Sequence, residues 1–368
     1  MSKHIPFCDE NLNNQIELRD DEDELLDEKG RLKKCGWSRH SIIKYNPNKL
    51  SKFIRSFRLK EWNYYSIGSN RFYFAVAAVD LGYLTNYHTF FVDFKDGAKV
   101  LHDEVITPTP FSKGLSLPSS YCELGDHVHY NTNTFKIEFT VSHTDNDKHI
   151  HNIKITSNKI KLRGEFKFDL SPNRESVVLV TPIGKQNFYY NKKTNLIPVQ
   201  GSLEVDGQEL MGDQYTGDCY GIMDWGRGVW DYSSFWIWSS AWGTYTTSTE
   251  ETVSIGLNFG SGFGNLSTHT ENAINVNGKI HKLGHVDIVF NEKDHLQPWK
   301  FTCKHGRFGE SPLVFTPFKK KYENNNFGLV MSSFYQILGK FTGELLLDSG
   351  ERVNIDLYGF SEVHSARW

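Results

Sequence analysis

Apolar and polar side chains alternate one by one along much of this chain. Ile137, Phe139 and Val141 interleave with Lys136, Glu138 and Thr140, and Phe166, Phe168 and Leu170 with Glu165, Lys167 and Asp169. Further on, Val253, Ile255, Leu257 and Phe259 interleave with Ser254, Gly256 and Asn258. A period of two puts successive side chains on opposite faces of a strand, and one buried face with one wet face marks antiparallel sheet. Phe72–Val79 (FYFAVAAV) is apolar without a break, which predicts a strand covered on both faces. Turn residues punctuate these runs at Asp96-Gly97, Asp145-Asn146 and Ser171-Pro172-Asn173. Asp206-Gly207, Asn277-Gly278 and Ser349-Gly350 predict hairpins. No stretch predicts a helix longer than about two turns, and no short repeat recurs.

The pattern concentrates in Asp224–Trp242, DWGRGVWDYSSFWIWSSAW, which holds five of the nine tryptophans. Trp230, Tyr232, Trp236, Trp238 and Trp242 fall at even positions; Phe235, Ile237, Ser239 and Ala241 fall at odd ones. One strand face is therefore rich in indoles. Such a face either fills a β-barrel core or walls a pocket for an apolar ligand. Asp224 and Arg227 then stand at the mouth of that pocket.

Composition agrees with an all-β chain, since aromatics make up 14% and glycines number 30. A net charge of −3 gives no reason to expect nucleic acid or an anionic membrane as partner. No run of 18 apolar residues predicts an integral membrane segment, and the N-terminal residues lack the apolar core of a secretory signal. Cys8, Cys35, Cys122, Cys219 and Cys303 are odd in number and widely spaced, which suits free thiols and a cytoplasmic protein. Residues 1–35 include the acidic run DDEDELLDE and are expected to form a flexible tail, with a docking arm as the alternative. The folded part is expected from Gly36. The polar stretch Tyr190–Gly201 divides it into halves 36–200 and 201–368. Thr107–Ser120, rich in Pro, Ser and Gly, is expected to be a long loop.

Candidate chemistry is sparse. The chain has 15 histidines, with His127 and His129, and His149 and His151, at strand spacing. They sit in polar, turn-rich sequence without a carboxylate or cysteine at ligand spacing, so no metal is expected. GxSxG, HExxH and a flanked GxGxxG are absent, and no cofactor is expected. What remains is an acid beside aromatic rings. A carboxyl desolvated by indoles would hold its proton near neutral pH, and indole faces would stabilise the cation formed by protonating an alkene. Pairing with Arg227 would instead make Asp224 half of an ion pair, and the three-residue spacing across a glycine favours that reading. Glu271 and Asn272, with Asn258, form a second polar group, whose commoner role is to cap backbone groups in a turn. The C-terminal GFSEVHSARW, carrying Glu362 and Arg367, reads as a docked terminus.

These residues carry a resemblance. GWSRHSIIKYN (Gly36–Asn46), KEWNYYSI (Lys60–Ile67), VDLGYL (Val79–Leu84), DWGRGVW (Asp224–Trp230), WIWSSAWG (Trp236–Gly243), IGLNFGSGFGN (Ile255–Asn265), TENAINVNGKIHKL (Thr270–Leu283) and the terminal YGFSEVHSARW together resemble the family grouped as domain of unknown function 2804. That family is similar, more distantly, to paired lipocalin-like barrels that include carotenoid hydratases, tocopherol cyclase, fungal Diels–Alder-type cyclisation catalysts and a lipid-carrier survival factor. The resemblance implies two lipocalin-like antiparallel β-barrel or sandwich halves packed together, and an apolar ligand held in or between them. The expectation is a protein that binds or carries an apolar small molecule, a lipid or isoprenoid, in a pocket lined by Trp225, Trp236, Trp238, Trp242, Asn258, Glu271 and Asn272. The alternative is a cofactor-independent hydratase, cyclase or isomerase with Asp224 as the acid and Arg227 beside it.

Overall fold

The computed structural model describes residues 15–19, 22–108, 110, 115–144, 148–185, 187–212, 218–247, 249–303, 306–326 and 328–368. The expected turn at Asp145-Asn146 lies outside these residues. Strand dominates, and the longest helix among the described residues, Lys52–Phe57, is under two turns. Two large antiparallel sheets account for most of it. The first has 13 strands, among which Leu101–Ile106, Thr85–Asp93, Phe72–Asp80, Leu59–Ser69, Cys219–Val229, Asn187–Val205, Leu162–Asp169, His149–Ser157, Phe135–His143 and His127–Asn131 lie side by side in that order. Its ends curl towards each other. Tyr87 and Tyr130, from strands far apart in that order, stack with ring centroids 4.3 Å apart.

The second sheet has nine strands, centred on Thr252–Ser261, Ser233–Thr246, Arg352–Arg367, Met331–Leu346 and Leu313–Asn326. It curls in the same way, bringing Phe259 to 5.6 Å from Phe301 of the strand Trp299–Cys303. The protein is therefore all-β, built of two lipocalin-like halves packed together.

Each half has its own core, and a third apolar layer joins them. Phe72, Phe74, Val76 and Ala78 face the first core, while Tyr73, Ala75 and Ala77 of the same strand face the joining layer. This is the strand covered on both faces that an unbroken apolar run predicts. In Ser233–Thr246 the odd positions Ile237 and Ala241 enter the second core, and the even positions Trp238 and Trp242 point at the first half. The indole-rich face is thus the face between the halves. Trp242 lies flat on the backbone of Gly68, where a Cβ would stand 2.1 Å from its ring. It stacks on Tyr73 at 5.4 Å and donates its Nε1–H to Ser69 O at 3.2 Å.

The expected hairpins form at Asp206-Gly207 and Asn277-Gly278, where both residues of each pair adopt positive φ. Gly350 turns the third, between Met331–Leu346 and Arg352–Arg367. The chain passes from the first sheet to the second between Val229 and Ser233, so the expected division at 200/201 falls inside the strand Asn187–Val205. That strand looks like a linker because Asn191, Lys192, Lys193 and Asn195 are polar; all four are buried.

The described part of segment 1–35 is docked, not free. Leu25 and Leu26, hidden within the acidic run, are buried against the first core. Gln15 reaches the second half: its Oε1 accepts from Thr270 N at 3.0 Å and from the Lys282 ammonium at 2.9 Å, and its Nε2 donates to Leu283 O at 3.2 Å. Average composition concealed two leucines and one amide that hold the segment down.

Candidate functional site

Asp224 and Arg227 share the strand Cys219–Val229, and three is an odd spacing. They therefore point to opposite sides of the sheet. Arg227 enters the first core, fully buried, where its Nη1 donates to Trp62 O at 2.7 Å and its Nη2 to Asn63 Oδ1 at 2.9 Å and Pro118 O at 3.0 Å. Its Nε lies 3.4 Å from Glu61 Oε1 and its guanidinium 4.2 Å from the Trp225 ring centre. The expected Asp224–Arg227 pair does not form.

Asp224 points instead between the halves and meets Lys193, its direct cross-strand neighbour on Asn187–Val205. Lys193 Nζ lies 2.8 Å from Asp224 Oδ2 and 3.8 Å from Glu271 Oε1, and 3.7 Å above the Trp238 ring centre. Glu271 is held by Asn191, whose Nδ2 donates to its Oε2 at 2.6 Å. It can lean this far in because residue 260 is glycine; a Cβ there would stand 2.3 Å from its Oε1. Asn258 accepts the Trp238 indole N–H at 2.9 Å and donates to Glu271 O at 2.8 Å.

A third carboxyl completes the group. Glu362 on Arg352–Arg367 pairs in register with Trp238 and accepts the Trp236 indole N–H on its Oε1 at 2.8 Å. Burial pushes its carboxyl up to about 7; the Trp236 bond and Lys193 pull it down, while Asp224 and Glu271 push it further up. Burial raises the Glu271 carboxyl as well, against the pull of Lys193.

Asp224, Glu271, Lys193 and Glu362 all line one cavity of about 320 Å³ between the halves. Its first wall comes from the strands around Trp62, Tyr64, Ala77 and His88, and its second from those around Trp236, Trp238, Phe334 and His364. Tyr189, Trp230, Phe263 and Trp368 extend the aromatic surface, with Trp230 and Phe263 centred 4.8 Å apart and Trp230 and Trp368 5.6 Å apart. His88 and His364 stay neutral because burial lowers both to about 3. Lys60, also on the wall, is lowered to about 7, by burial first and then by Arg58. The site is thus an aromatic chamber with an acidic cluster at one part of its surface.

Of the residues expected at the site, Asp224, Trp236, Trp238 and Glu271 come together on this wall, and Asn258 stands behind it. Trp225 packs against Tyr45 and Tyr190 in the first core, and Trp242 is packed into the joining layer, so neither reaches the cavity. Asn272 serves the backbone, accepting from Gly260 N at 2.8 Å and donating to Gly284 O at 2.9 Å. Sequence reasoning missed Lys193, Trp62 and Tyr189, and read Glu362 as part of a docked terminus. The odd Asp224–Arg227 spacing was readable, as was the shared parity of Glu362 and His364. Among the described residues no group of three or more His, Cys, Asp or Glu is placed to hold a metal ion. None of their helices is long and apolar enough to cross a membrane.

Fold and site together define an all-β protein of paired lipocalin-like halves with an aromatic, acid-bearing cavity between them. The chain belongs to the family described as Domain of unknown function (DUF2804), whose sequence pattern matches residues 15–368. No protein of curated function matches it. Two crystal structures align over most of its length. Kievitone hydratase from Nectria haematococca is 12% identical with a TM-score of 0.45, over 85% of this chain and 92% of that one. A Nitrosomonas europaea protein provisionally named AttH is 11% identical with a TM-score of 0.43, over 83% and 92%. Neither likeness bears on what the cavity holds.

Proposed function

We propose that the protein binds an apolar small molecule, of lipid or isoprenoid kind, in the cavity between its halves. The observation that carries this reading is the cavity itself, about 320 Å³ and walled by aromatic rings, with a few polar groups converging at one place. A packed core would leave no such space. N-phenyl-1-naphthylamine, a neutral apolar probe, is expected to quench indole emission by occupying it. Ala77 lines the cavity, so Ala77→Phe fills it and should abolish that quenching in a folded protein. Quenching unchanged in Ala77→Phe overturns the reading. Native mass spectrometry of protein taken from its own source then identifies the occupant.

A second reading, a cofactor-independent hydratase, cyclase or isomerase, is favoured by one observation: three carboxyls, Asp224, Glu271 and Glu362, gather around the ammonium of Lys193. In the sequence reading Asp224 supplies the acid, but it lies against Lys193, and Glu362 is the better proton source. Its proton would pass to an alkene carbon, leaving a carboxylate and a carbocation faced by Trp236 and Trp238. Water would add to the cation, or a ring would close, and the proton released would return to Glu362. Incubation of the recovered ligand in deuterium oxide tests this. Deuterium entering a carbon position supports catalysis, and its absence leaves binding alone.

A further inference from the structure

Glu362 is bonded on one side only. Its Oε1 accepts from Trp236, while its Oε2 has no hydrogen-bond partner among the described residues, and the residue lines the cavity. The groups facing it come from every neighbouring strand. Asp224 and Glu271 add negative charge, and Lys193 commits its ammonium to those two. Lys321, on Leu313–Asn326, feels Glu362 but is ion-paired to Glu323. His364 on the same strand is neutral. Tyr64, Tyr73 and Tyr189 lie within reach of its charge, and burial raises all three phenols, so they stay neutral too. Among the described residues, the ammonium groups that feel Glu362, those of Lys193 and Lys321, are each paired with another carboxylate. Below about pH 7 Glu362 therefore keeps its proton, and with Oε1 occupied by an indole N–H the proton rests on Oε2.

Resting on the binding reading above, we propose that Glu362 Oε2–H is the recognition group of the cavity and donates a hydrogen bond to a neutral oxygen acceptor on the ligand, a ketone, ether or hydroxyl oxygen. The ligand class is an apolar molecule with one oxygenated end. Asp224 Oδ2 and Glu271 Oε2 are tied to Lys193 and Asn191, and Gln336, in register with Glu362 and with its amide unpartnered among the described residues, is not part of the cavity wall, so Glu362 is the group left to meet that oxygen. Above the pH at which Glu362 ionises, the carboxyl becomes an acceptor. A ketone then loses its partner, whereas an alcohol can turn its own O–H towards the carboxylate.

The test is a set of probes of one length, 2-nonanone, 2-nonanol and nonane, titrated against indole fluorescence at about pH 6 and about pH 8.5, either side of the Glu362 value of about 7. At the lower pH the ketone and the alcohol should each bind about tenfold tighter than the hydrocarbon. At the higher pH the ketone should lose that advantage and the alcohol keep it. Glu362→Gln, which still accepts from Trp236 and still donates, should preserve the ketone advantage over nonane at both values; Glu362→Leu should erase that advantage at both. Equal binding of all three probes at the lower pH overturns the ligand class and leaves the binding reading standing. If none of the three binds to folded protein, the binding reading itself falls. A pH dependence that survives in Glu362→Gln assigns recognition to another group and also overturns the proposal. Infrared difference spectra of the unliganded protein give an independent readout: the C=O stretch of a protonated carboxylic acid should fade as pH rises through about 7 and be missing from Glu362→Gln. Its absence from the wild-type protein at the lower pH rejects the proposal even if neither variant folds.

Discussion

Lys193 and Asp224 stand directly opposite each other on adjacent antiparallel strands, Nζ to Oδ2 2.8 Å, with side chains only 5% and 6% exposed. The pair lies between the halves, where removing Lys193 strands Asp224 and removing Asp224 leaves Lys193 only Glu271, at 3.8 Å. Asp224→Asn and Lys193→Met are each expected to cost about 3–5 kcal/mol in urea unfolding, and the double substitution much less than their sum. Asp224→Asn combined with Arg227→Gln should be additive, because those side chains leave the strand on opposite faces. Strong coupling between Asp224 and Arg227 would contradict the geometry.

Stability should depend on pH through buried groups of opposing sign. The folded state holds the Glu362 proton up to about 7, whereas an unperturbed carboxyl releases it near 4.5. Between those values Glu362 binds more protons in the folded state, so its own contribution to stability falls as pH rises, by about 3 kcal/mol at most, and levels above about 7. His88, His151 and His364 act in the other direction. Their folded values of about 3 lie below the ordinary 6.5, so between the two the unfolded state binds more protons, and three such groups outweigh the one carboxyl. Lys60 does the same between about 7 and 10.5. Melting temperatures should therefore climb from about pH 4.5 through neutrality. Glu362→Gln should steepen the climb below about pH 7, and Lys60→Met should flatten it above.

Trp242 and Trp236 should separate stability from binding. Trp242 is fully packed on Gly68 and Tyr73, and Trp242→Ala should cost about 3–5 kcal/mol in chemical unfolding. Gly68→Ala should be destabilising too, since its methyl would occupy the indole plane. Trp236, half-buried on the cavity wall, should cost less when changed to Ala, with the loss showing in probe affinity. The reverse order would place the cavity elsewhere.

Gln15→Ala should destabilise by about 1–3 kcal/mol, the cost of leaving buried polar groups without a partner. It removes the acceptor shared by Thr270 and Lys282. A truly mobile tail would tolerate the change without effect on melting.

Strands and hairpins were legible because their signals are local: a period of two needs only neighbours, and Asp206-Gly207 or Asn277-Gly278 turns by its own backbone. The polar half of the site was not, and for a related reason. Lys193 lines the cavity and Asn191 holds Glu271 there, yet polarity is the mark by which linkers are recognised. Burial was the missing quantity. Glu362 was seen only as part of a docked terminus, since nothing in YGFSEVHSARW says that Asp224, some 140 positions earlier, lies across from it. Trp225 and Trp242 failed as pocket residues through parity and packing: the first faces the other side of its strand from Asp224, and the second meets a glycine that admits no gap.

The strap that carries Gln15 has a bearing on how the molecule is made. Its anchors, Thr270, Lys282 and Leu283, lie in the second half, more than 250 residues further along the chain. At ribosomal rates of about 5–20 residues per second, those anchors emerge roughly 15–50 s after the strap does. The Gln15 contacts must therefore wait until the second sheet has folded, while Leu25 and Leu26 can dock as soon as the first core forms. Newly made chains should pass through an interval in which protease cuts near Gln15 more readily than in the finished protein.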